Sequence, residues 1–331
     1  MAMRRMTAYV AGLLLCGAAH SSSSPYVHDP VVIQQADTYY LFGTGQGIDV
    51  HSSKDLKSWR DEPHVFDRAP DWTFATVPGF QGHIWAPDIS EHNGIYYLYY
   101  AISLGGKITS AIGVASNKTL DRGSPDFRWV DHGAVLQSVA GRDLWNAIDP
   151  QLIIDQKGTP WLAFGSFWSG VKLVKLRADL LGVAEPQEWH SIARRERSVL
   201  RDDTDPEPAA IEAPFIFKHD QYYYLFVSWD YCCRGVNSTY KIMIGRGKSV
   251  TGPYLDKDGH DLAKGGGSLV LGGNPRWPGV GHNSAYRFND KDYLVFHAYD
   301  GRDAGRSRLK ILEMRWDRAS WPVLDHHALE N

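Results

Sequence analysis

The chain has 331 residues, a formal net charge of −3 and a hydrophobic fraction of 43%. This balance is typical of a folded soluble protein, and a near-zero charge argues against nucleic-acid binding, which needs a concentrated basic surface. Aromatic residues make up 12% of the chain, including 12 Trp and 17 Tyr. These side chains either fill a core or offer flat faces on which sugar rings stack.

The first residues have the pattern of a secretory signal peptide. Arg4 and Arg5 precede an apolar run over residues 8–19, and small residues end this run. This combination is typical of a leader that is removed during export. We therefore predict a signal peptide at residues 1–19, a Ser-rich spacer at 20–25, and a secreted or periplasmic protein. No later run is apolar and long enough to predict a membrane span.

Beyond this leader the sequence contains two cysteines, Cys232 and Cys233. Because they are adjacent, they cannot join distant parts of the chain. They form either a vicinal disulfide, in an oxidising compartment, or two free thiols. The sequence leaves both interpretations open.

One pattern recurs five times along the rest of the chain. Each copy contains a polar residue, an apolar strand, a tight turn and an aromatic strand. The polar residues are 59, 61, 63 and 70 residues apart, and they are Asp29, Asp88, Asp149, Glu212 and His282. A period of this length suits one four-stranded sheet with its loops.

A single sheet of this size cannot bury both of its faces, but sheets repeated around an axis can bury one another. Five copies therefore predict an all-β protein, a five-bladed β-propeller that forms a single domain over residues 26–331. In a propeller the first strand of each blade lines the axis. We expect the polar residues of successive copies to converge at one end of that axis.

Converging carboxylates have a chemical consequence, because like charges repel and some of the pKa values must rise. One acid can then donate a proton while another stays ionised as a base, which is the arrangement that hydrolyses a glycosidic bond. The alternative is that an Asp before Pro merely starts a strand through turn chemistry. Because three acids share one position in different copies of the repeat, we favour a catalytic role for Asp29, Asp149 and Glu212. Asp88 is interpreted as a turn cap and receives no chemical role.

Five short motifs resemble glycoside hydrolase family 43, and more narrowly its α-L-arabinanases. The resemblance covers nearly all of the chain after the leader. The motifs are His28-Asp29-Pro30, Trp85-Ala86-Pro87-Asp88, Asn146-Ala147-Ile148-Asp149-Pro150, Ile211-Glu212-Ala213-Pro214 and Gly281-His282-Asn283-Ser284. The segments 165–170 and 238–240 strengthen the likeness to the arabinanase subgroup.

The resemblance implies an inverting hydrolase that cleaves α-1,5-L-arabinofuranosidic bonds in arabinan, of the type named for endo action. Whether cleavage is endo or exo stays open from sequence, because it depends on the shape of the loops. Carried over by motif, Asp29 is the general base that activates water and Glu212 is the general acid. Asp149 orients that acid and modulates its pKa. Related propellers that transfer fructose carry Asn-Asp-Pro, Arg-Asp-Pro and Glu-Cys motifs, which this chain lacks.

The resemblance also implies contacts for sugar and metal. Candidate substrate-binding residues are Trp85, Asn146, Ser166, Phe167 and Trp168, each of which has an alternative role in the core or in a turn. His282 matches a histidine that approaches a structural Ca²⁺ ion on the propeller axis, with water completing the shell. The alternative for His282 is a hydrogen-bonding core residue, since Ca²⁺ prefers oxygen ligands.

Two other functions remain open from sequence. One is a different specificity within the same family, an α-L-arabinofuranosidase or a β-xylosidase. The other is a carbohydrate-binding propeller without catalysis. The expected partner is arabinan or an arabino-oligosaccharide, with neither nucleic acid nor a membrane span, and the expected state is a monomer.

Overall fold

The computed structural model describes residues 21–22, 24–198, 200 and 209–329. The predicted signal peptide lies outside this range. The described chain forms five antiparallel sheets, one for each copy of the repeat, and these are the five blades predicted from the sequence. No helix in these ranges is long and apolar enough to cross a membrane.

The strands of the blades follow one another in chain order. The first copy supplies β1 (Ser21–Ser22), β2 (Val31–Gln35), β3 (Thr38–Gly43), β4 (Gly45–Gln46), β5 (Asp49–Ser53) and β6 (Trp59–Glu62). The second supplies α1 (Asp71–Thr76), β7 (His83–His92), β8 (Ile95–Ile102), β9 (Ser110–Asn117) and β10 (Val130–Ser138). The third supplies β11 (Gln151–Ile154), β12 (Pro160–Phe164), β13 (Val171–Lys175) and β14 (Trp189–Ala193).

The last two blades complete the ring. The fourth contains β15 (Ile211–His219), β16 (Tyr222–Trp229), β17 (Lys241–Gly247) and β18 (Ser268–Leu271). The fifth contains β19 (Val280–Phe288), β20 (Lys291–Asp300), β21 (Arg306–Trp316) and β22 (Pro322–Leu324). Short 3₁₀ helices lie at Gly235–Asn237, Leu262–Lys264 and His326–Leu329. The small strand β4 leaves blade 1 and pairs with β7 of blade 2.

The core consists of layers between the blades. The described residues form five clusters of buried apolar side chains, and each cluster joins two consecutive blades around the ring. Middle strands face a neighbour on both sides, so β12 is buried along its whole length. This explains why these strands read as continuous apolar and aromatic runs rather than as alternating ones.

The start of the described chain helps to close the ring. The strand β22 pairs only with the end of β21, at Met314–Trp316. The beginning of β21 pairs instead with residues 25–27: Leu309 N–H donates to the Pro25 carbonyl (3.1 Å), and Val27 N–H donates to the Ser307 carbonyl (3.3 Å). This pairing brings His28 and Asp29 beside blade 5.

Candidate active site

The true register of the repeat is marked by backbone conformation. One residue at the start of each inner strand has a left-handed φ of 41–57°, and these residues are Asp29, Ala86, Asp149, Ala213 and His282. Such φ values are uncommon for residues other than glycine. Glu212 therefore lies one position before the register residue of its blade, and Asp88 lies two positions after. The expectation that Asp29, Asp88, Asp149 and Glu212 are equivalent was wrong for Asp88 and Glu212.

Asp88 joins two blades and does not cap a turn. Its Oδ2 accepts a hydrogen bond from the Leu152 N–H of blade 3 (2.8 Å), and its side chain is buried. Gln151 holds the matching position in blade 3 and accepts from the Ile216 N–H of blade 4 (3.2 Å). Burial raises the pKa of Asp88 to about 7, against the lowering effects of the Leu152 N–H and the Ser90 hydroxyl.

A second polar position recurs fifteen residues after the register residue in blades 1, 4 and 5. Its side chain accepts the backbone N–H of the register residue in the next blade. The pairs are Thr44 with Ala86 (2.8 Å), Ser228 with His282 (2.8 Å) and His297 with Asp29 (3.1 Å). In blade 3 the fifteenth residue after Asp149 is Phe164, whose side chain has no hydrogen-bond acceptor, and the Asp149 Oδ2 accepts the Ala213 N–H instead (3.0 Å).

Asp29 is a buried carboxylate surrounded by donors. The Nδ1 atoms of His28 and His282 lie 2.8 and 2.9 Å from its Oδ1, and the Thr44 hydroxyl donates to its Oδ2 (2.5 Å). Burial alone would raise the pKa of Asp29. The charges and hydrogen bonds of His28 and His282 outweigh burial and hold the pKa well below its usual range. Asp29 is therefore ionised at neutral pH, as a general base must be.

Glu212 and Asp149 lie side by side on neighbouring blades. Ser166 and Tyr240 donate to opposite oxygens of Glu212, each at 2.7 Å, and so fix the plane of its carboxyl group. Asp149 binds the Ala213 N–H, the backbone group directly after Glu212. Burial raises the pKa of Asp149 to about 8; His282 opposes this rise, and the charges of Glu212 and Asp29 add to it.

The three acids line one cavity of about 620 Å³, and Glu212 also lines an adjoining cavity of about 320 Å³. We call these the large lobe and the small lobe of a single cleft. The residues that line both lobes are Trp85, Ile148, Glu212, Cys232 and Cys233. The structure thus brings together the acids that the sequence predicted at one end of the axis.

The predicted sugar contacts occupy the small lobe, but not all of them present free polar groups. The Asn146 side chain is buried; its Oδ1 accepts from the Ser110 hydroxyl (2.6 Å) and its Nδ2 donates to the Lys107 carbonyl (3.4 Å). Ser166 donates to Glu212 and positions the acid.

The aromatic candidates differ in how far they reach the cleft. Trp85 is half-buried and lines both lobes. Phe167 is half-buried against Tyr231, with ring centroids 6.1 Å apart, and lines the small lobe. Trp168 also lines the small lobe, but it is only 3% exposed. Trp85 and Phe167 are therefore better placed than Trp168 to stack on a sugar.

His282 was predicted to lie near a calcium ion, and its side chain has one ring nitrogen available for such an ion. Because Nδ1 contacts Asp29, only Nε2 remains to approach a metal, and it can bind one only when the imidazole is neutral. Burial lowers the pKa of His282, but the charges of Asp29 and Asp149 outweigh it and raise the pKa to about 9. Within the described ranges, no group of three potential ligating side chains includes His282. These residues fit Ca²⁺ only as an ion that takes most of its ligands from water.

Cys232 and Cys233 are joined in a vicinal disulfide, which decides between the two interpretations left open by the sequence. The pair lies between β16 and β17 and borders the cleft.

Sequence reasoning missed several residues around the acids, including His28, Thr44, Tyr240, His297 and Tyr299. Thr44 and His297 were detectable, since each follows its register residue by fifteen positions. Tyr299 follows no such spacing in the sequence. Its hydroxyl lies 2.8 Å from the His28 Nε2, although 271 residues separate the two along the chain.

Comparison with known proteins agrees with this geometry. Residues 24–322 match the family model for glycosyl hydrolases family 43. An extracellular exo-α-(1→5)-L-arabinofuranosidase of Cellvibrio japonicus is 55% identical over 318 residues, which cover 96% of this chain and 90% of that protein. An extracellular endo-α-(1→5)-L-arabinanase of Bacillus subtilis is 41% identical, covering 95% of this chain and 94% of that protein.

Solved structures give the same result. The α-L-arabinanase of Cellvibrio cellulosa complexed with arabinohexaose has a TM-score of 0.91 at 55% identity, covering 93% of this chain and 98% of that one. An exo-1,5-α-L-arabinanase from a bovine ruminal metagenomic library has a TM-score of 0.86 at 47% identity, covering 92% and 98%. The five-bladed propeller and the family predicted from the motifs are both confirmed, and the chain belongs to glycosyl hydrolases family 43.

Proposed function

We propose that this protein hydrolyses the α-1,5-L-arabinofuranosidic bonds of arabinan outside the cell. The observation that carries the proposal is the convergence of Asp29, Asp149 and Glu212 in one cleft. The activities named for the relatives at 55% and 41% identity support the substrate, and both relatives are named extracellular.

In this proposal the acids divide the work of an inverting reaction. Asp29 is held ionised by His28 and His282, so it can take a proton from the attacking water. Glu212 gives its proton to the leaving oxygen on the opposite side of the bond. Asp149 accepts the backbone N–H next to Glu212 and so helps to position this acid. The two carboxyl groups also interact electrostatically, since the charge of Glu212 contributes to the raised pKa of Asp149.

We further propose that the enzyme acts from chain ends rather than inside the chain, although the sequence motifs resemble those of the type named for endo action. Tyr26 lines the large lobe, and the guanidinium groups of Arg306 and Arg308 lie 4.3 and 4.4 Å from its ring centre. Its hydroxyl also donates to Asp303 (2.8 Å). Tyr26 is thus a fixed part of the wall of the large lobe, and we infer that it limits the length of chain that fits there. Relatives at 55% and 47% identity are named exo-acting.

Products from linear 1,5-arabinan and from xylan test the substrate and the mode of action together. We expect arabinan to yield a single short product, arabinose or one oligosaccharide, from the start of the reaction, with little loss of viscosity for each bond broken. A mixture of long oligosaccharides would instead support endo action. Xylose products without arabinose products would move the protein to another specificity in the family, and no hydrolysis at all would favour a binding propeller.

Replacing Tyr26 tests the proposed cause of exo action. In Tyr26→Ala we expect more internal cleavage, seen as a larger fall in viscosity for each reducing end released, because the large lobe opens. Phe74→Ala is the matched control, since Phe74 is also an exposed aromatic residue near an arginine, on α1, and it lines neither lobe. An unchanged product pattern in Tyr26→Ala would contradict the role given to Tyr26.

Calcium beside His282 is part of the proposal as a structural ion only. If it binds, a chelator lowers the thermal unfolding midpoint and added Ca²⁺ restores it, with no such response in His282→Ala. A midpoint that does not respond to chelation or to Ca²⁺ would remove calcium from the account.

A further inference from the structure

The vicinal disulfide lies at the junction of the two lobes. Cys232 and Cys233 line both lobes together with Glu212 and Trp85. Cys232 is half-buried and Cys233 is exposed. The Cys233 Sγ lies 3.7 Å from the His28 Nε2 and 3.8 Å from the Tyr299 hydroxyl, at the wall of the large lobe. A group that borders both lobes beside the acid is next to the bond that is cut.

The loop that carries the disulfide is fixed by hydrogen bonds on both sides. The Thr239 N–H donates to the Tyr231 carbonyl (2.9 Å), and the Arg234 N–H donates to the Ser238 hydroxyl (3.1 Å). Across the cleft wall, the Cys233 N–H binds the hydroxyl of Tyr299 on β20 (2.8 Å). The sulfurs are therefore held at a defined place relative to blade 5.

The backbone at the disulfide has a conformation that few side chains adopt. Cys233 has a φ of 65°, in the left-handed region. Residues in such conformations cost free energy and cluster at functional sites, where the surrounding structure imposes them. The bond to Cys232 supplies part of that constraint here, because it limits the rotations open to both residues.

The chemistry of the pair suits the apolar face of a sugar ring. Bonded sulfurs are polarisable and accept hydrogen bonds only weakly, so they favour C–H groups over hydroxyls. Trp85 and Ile148 add apolar surface to the same junction, while Glu212 supplies the polar group. A furanose ring seated here has an apolar wall against one face and the acid at its linking oxygen.

We propose that the Cys232–Cys233 disulfide is a substrate-positioning element that contacts the sugars on either side of the bond being cut. The inference rests on the proposed arabinan hydrolase function and deepens it. It assigns the disulfide to substrate recognition, in addition to any effect that it has on stability.

Kinetics on arabinohexaose test this role in two independent ways. The first compares Cys232→Ser/Cys233→Ser with the wild type, and the second compares wild type before and after reduction with a phosphine under native conditions. We expect both the variant and the reduced wild type to lose about tenfold in kcat/KM, mainly through a higher KM, as for removal of one binding contact. Reoxidation should restore the wild type, and the variant should not respond to the reductant.

Two controls separate recognition from folding. Val236→Ser alters an exposed residue of the same loop that lines neither lobe, and we expect its kcat/KM to be unchanged. Thermal unfolding of each form reports any loss of stability, and alkylation followed by mass spectrometry reports the state of the thiols. If the double variant does not fold, native reduction of the wild type still gives the answer.

An unchanged KM in the fully reduced, folded wild type would overturn the inference. That result is distinct from failure of the proposed function, in which the oxidised wild type itself would not cleave arabinohexaose. A loss confined to kcat would also contradict the inference, because removing a contact that the sugar already makes in the ground state raises KM.

Discussion

The base Asp29 shows how neighbouring side chains set the charge of a buried group. Two histidines and one threonine direct donors at its two oxygens. His297 has a different role: burial and the nearby His28 hold its pKa well below the usual range, so its neutral Nδ1 can accept the Asp29 N–H. The sequence predicted Asp29 from its motif, but it gave no sign that His28 and His282 share one oxygen.

The hydroxyl of Tyr240 is expected to act through Glu212. In Tyr240→Phe, the Glu212 Oε1 loses a donor at 2.7 Å, and a hydrogen bond to a carboxylate is worth about 1.5–3 kcal/mol. We therefore predict a fall in kcat on arabinan of roughly 10-fold or more, from loss of orientation of the acid.

Tyr254→Phe is the matched control for that measurement. Tyr254 is equally buried, but its hydroxyl donates to the Val250 carbonyl (2.6 Å), outside the cleft. It should lose stability and keep its kcat. If Tyr240→Phe also keeps its kcat, Tyr240 has no positioning role.

At the scale of strands, the sequence predicted the five copies but placed two acids in the wrong register. Glu212 and Asp88 seemed equivalent to Asp29 because each lies within two residues of a proline near the start of a strand. The left-handed residue that aligns the copies is Ala213 in blade 4 and Ala86 in blade 2, and alanine carries no chemical signal. Spacing alone cannot detect a shift of one or two residues, since the intervals between copies vary more than that.

Asp88 gives a prediction at this scale, because its carboxyl joins two inner strands. Its pKa is about 7 when folded, against an ordinary value of 3.8, so the folded protein binds the proton more tightly than the unfolded chain does. The stability contributed by this proton is present below about pH 4 and is lost as pH rises to about 7. Above that, the ionised group costs up to about 4 kcal/mol.

Asp88→Asn should therefore gain stability relative to the wild type as pH rises from 5 to 8, since Asn keeps an acceptor for Leu152 but has no charge. The measurement is the free energy of unfolding in urea at both pH values. Asp230→Asn is the control: the pKa of Asp230 is lowered despite its partial burial, through hydrogen bonds from Lys241 and Arg195, so its difference from wild type should be constant over this range. A constant difference for Asp88→Asn as well would refute the pKa assignment.

At the scale of the whole molecule, the site lies where the five inner strands meet. It is also close to the place where the first segment of the described chain pairs with blade 5. Residues 25–27 pair with β21 and so bring Tyr26 to the large lobe beside Arg306. The sequence predicted the ring, because the repeat dictates it. It could not predict the shape of the cleft, because Tyr26 and Arg306 lie at opposite ends of the chain and meet only when the ring closes.

The central claim is that Glu212 is the general acid of an arabinan hydrolase, and the most direct test is the activity of Glu212→Gln on linear 1,5-arabinan. Gln keeps the shape of the side chain: its amide oxygen can accept from one of the Ser166 and Tyr240 hydroxyls, and its NH2 can donate to the other. It has no acidic proton to give to the leaving oxygen. We predict that the wild type releases arabinose or arabino-oligosaccharides and that the folded variant is slower by roughly 10²–10⁴-fold. A folded Glu212→Gln protein with full activity on arabinan would contradict the account.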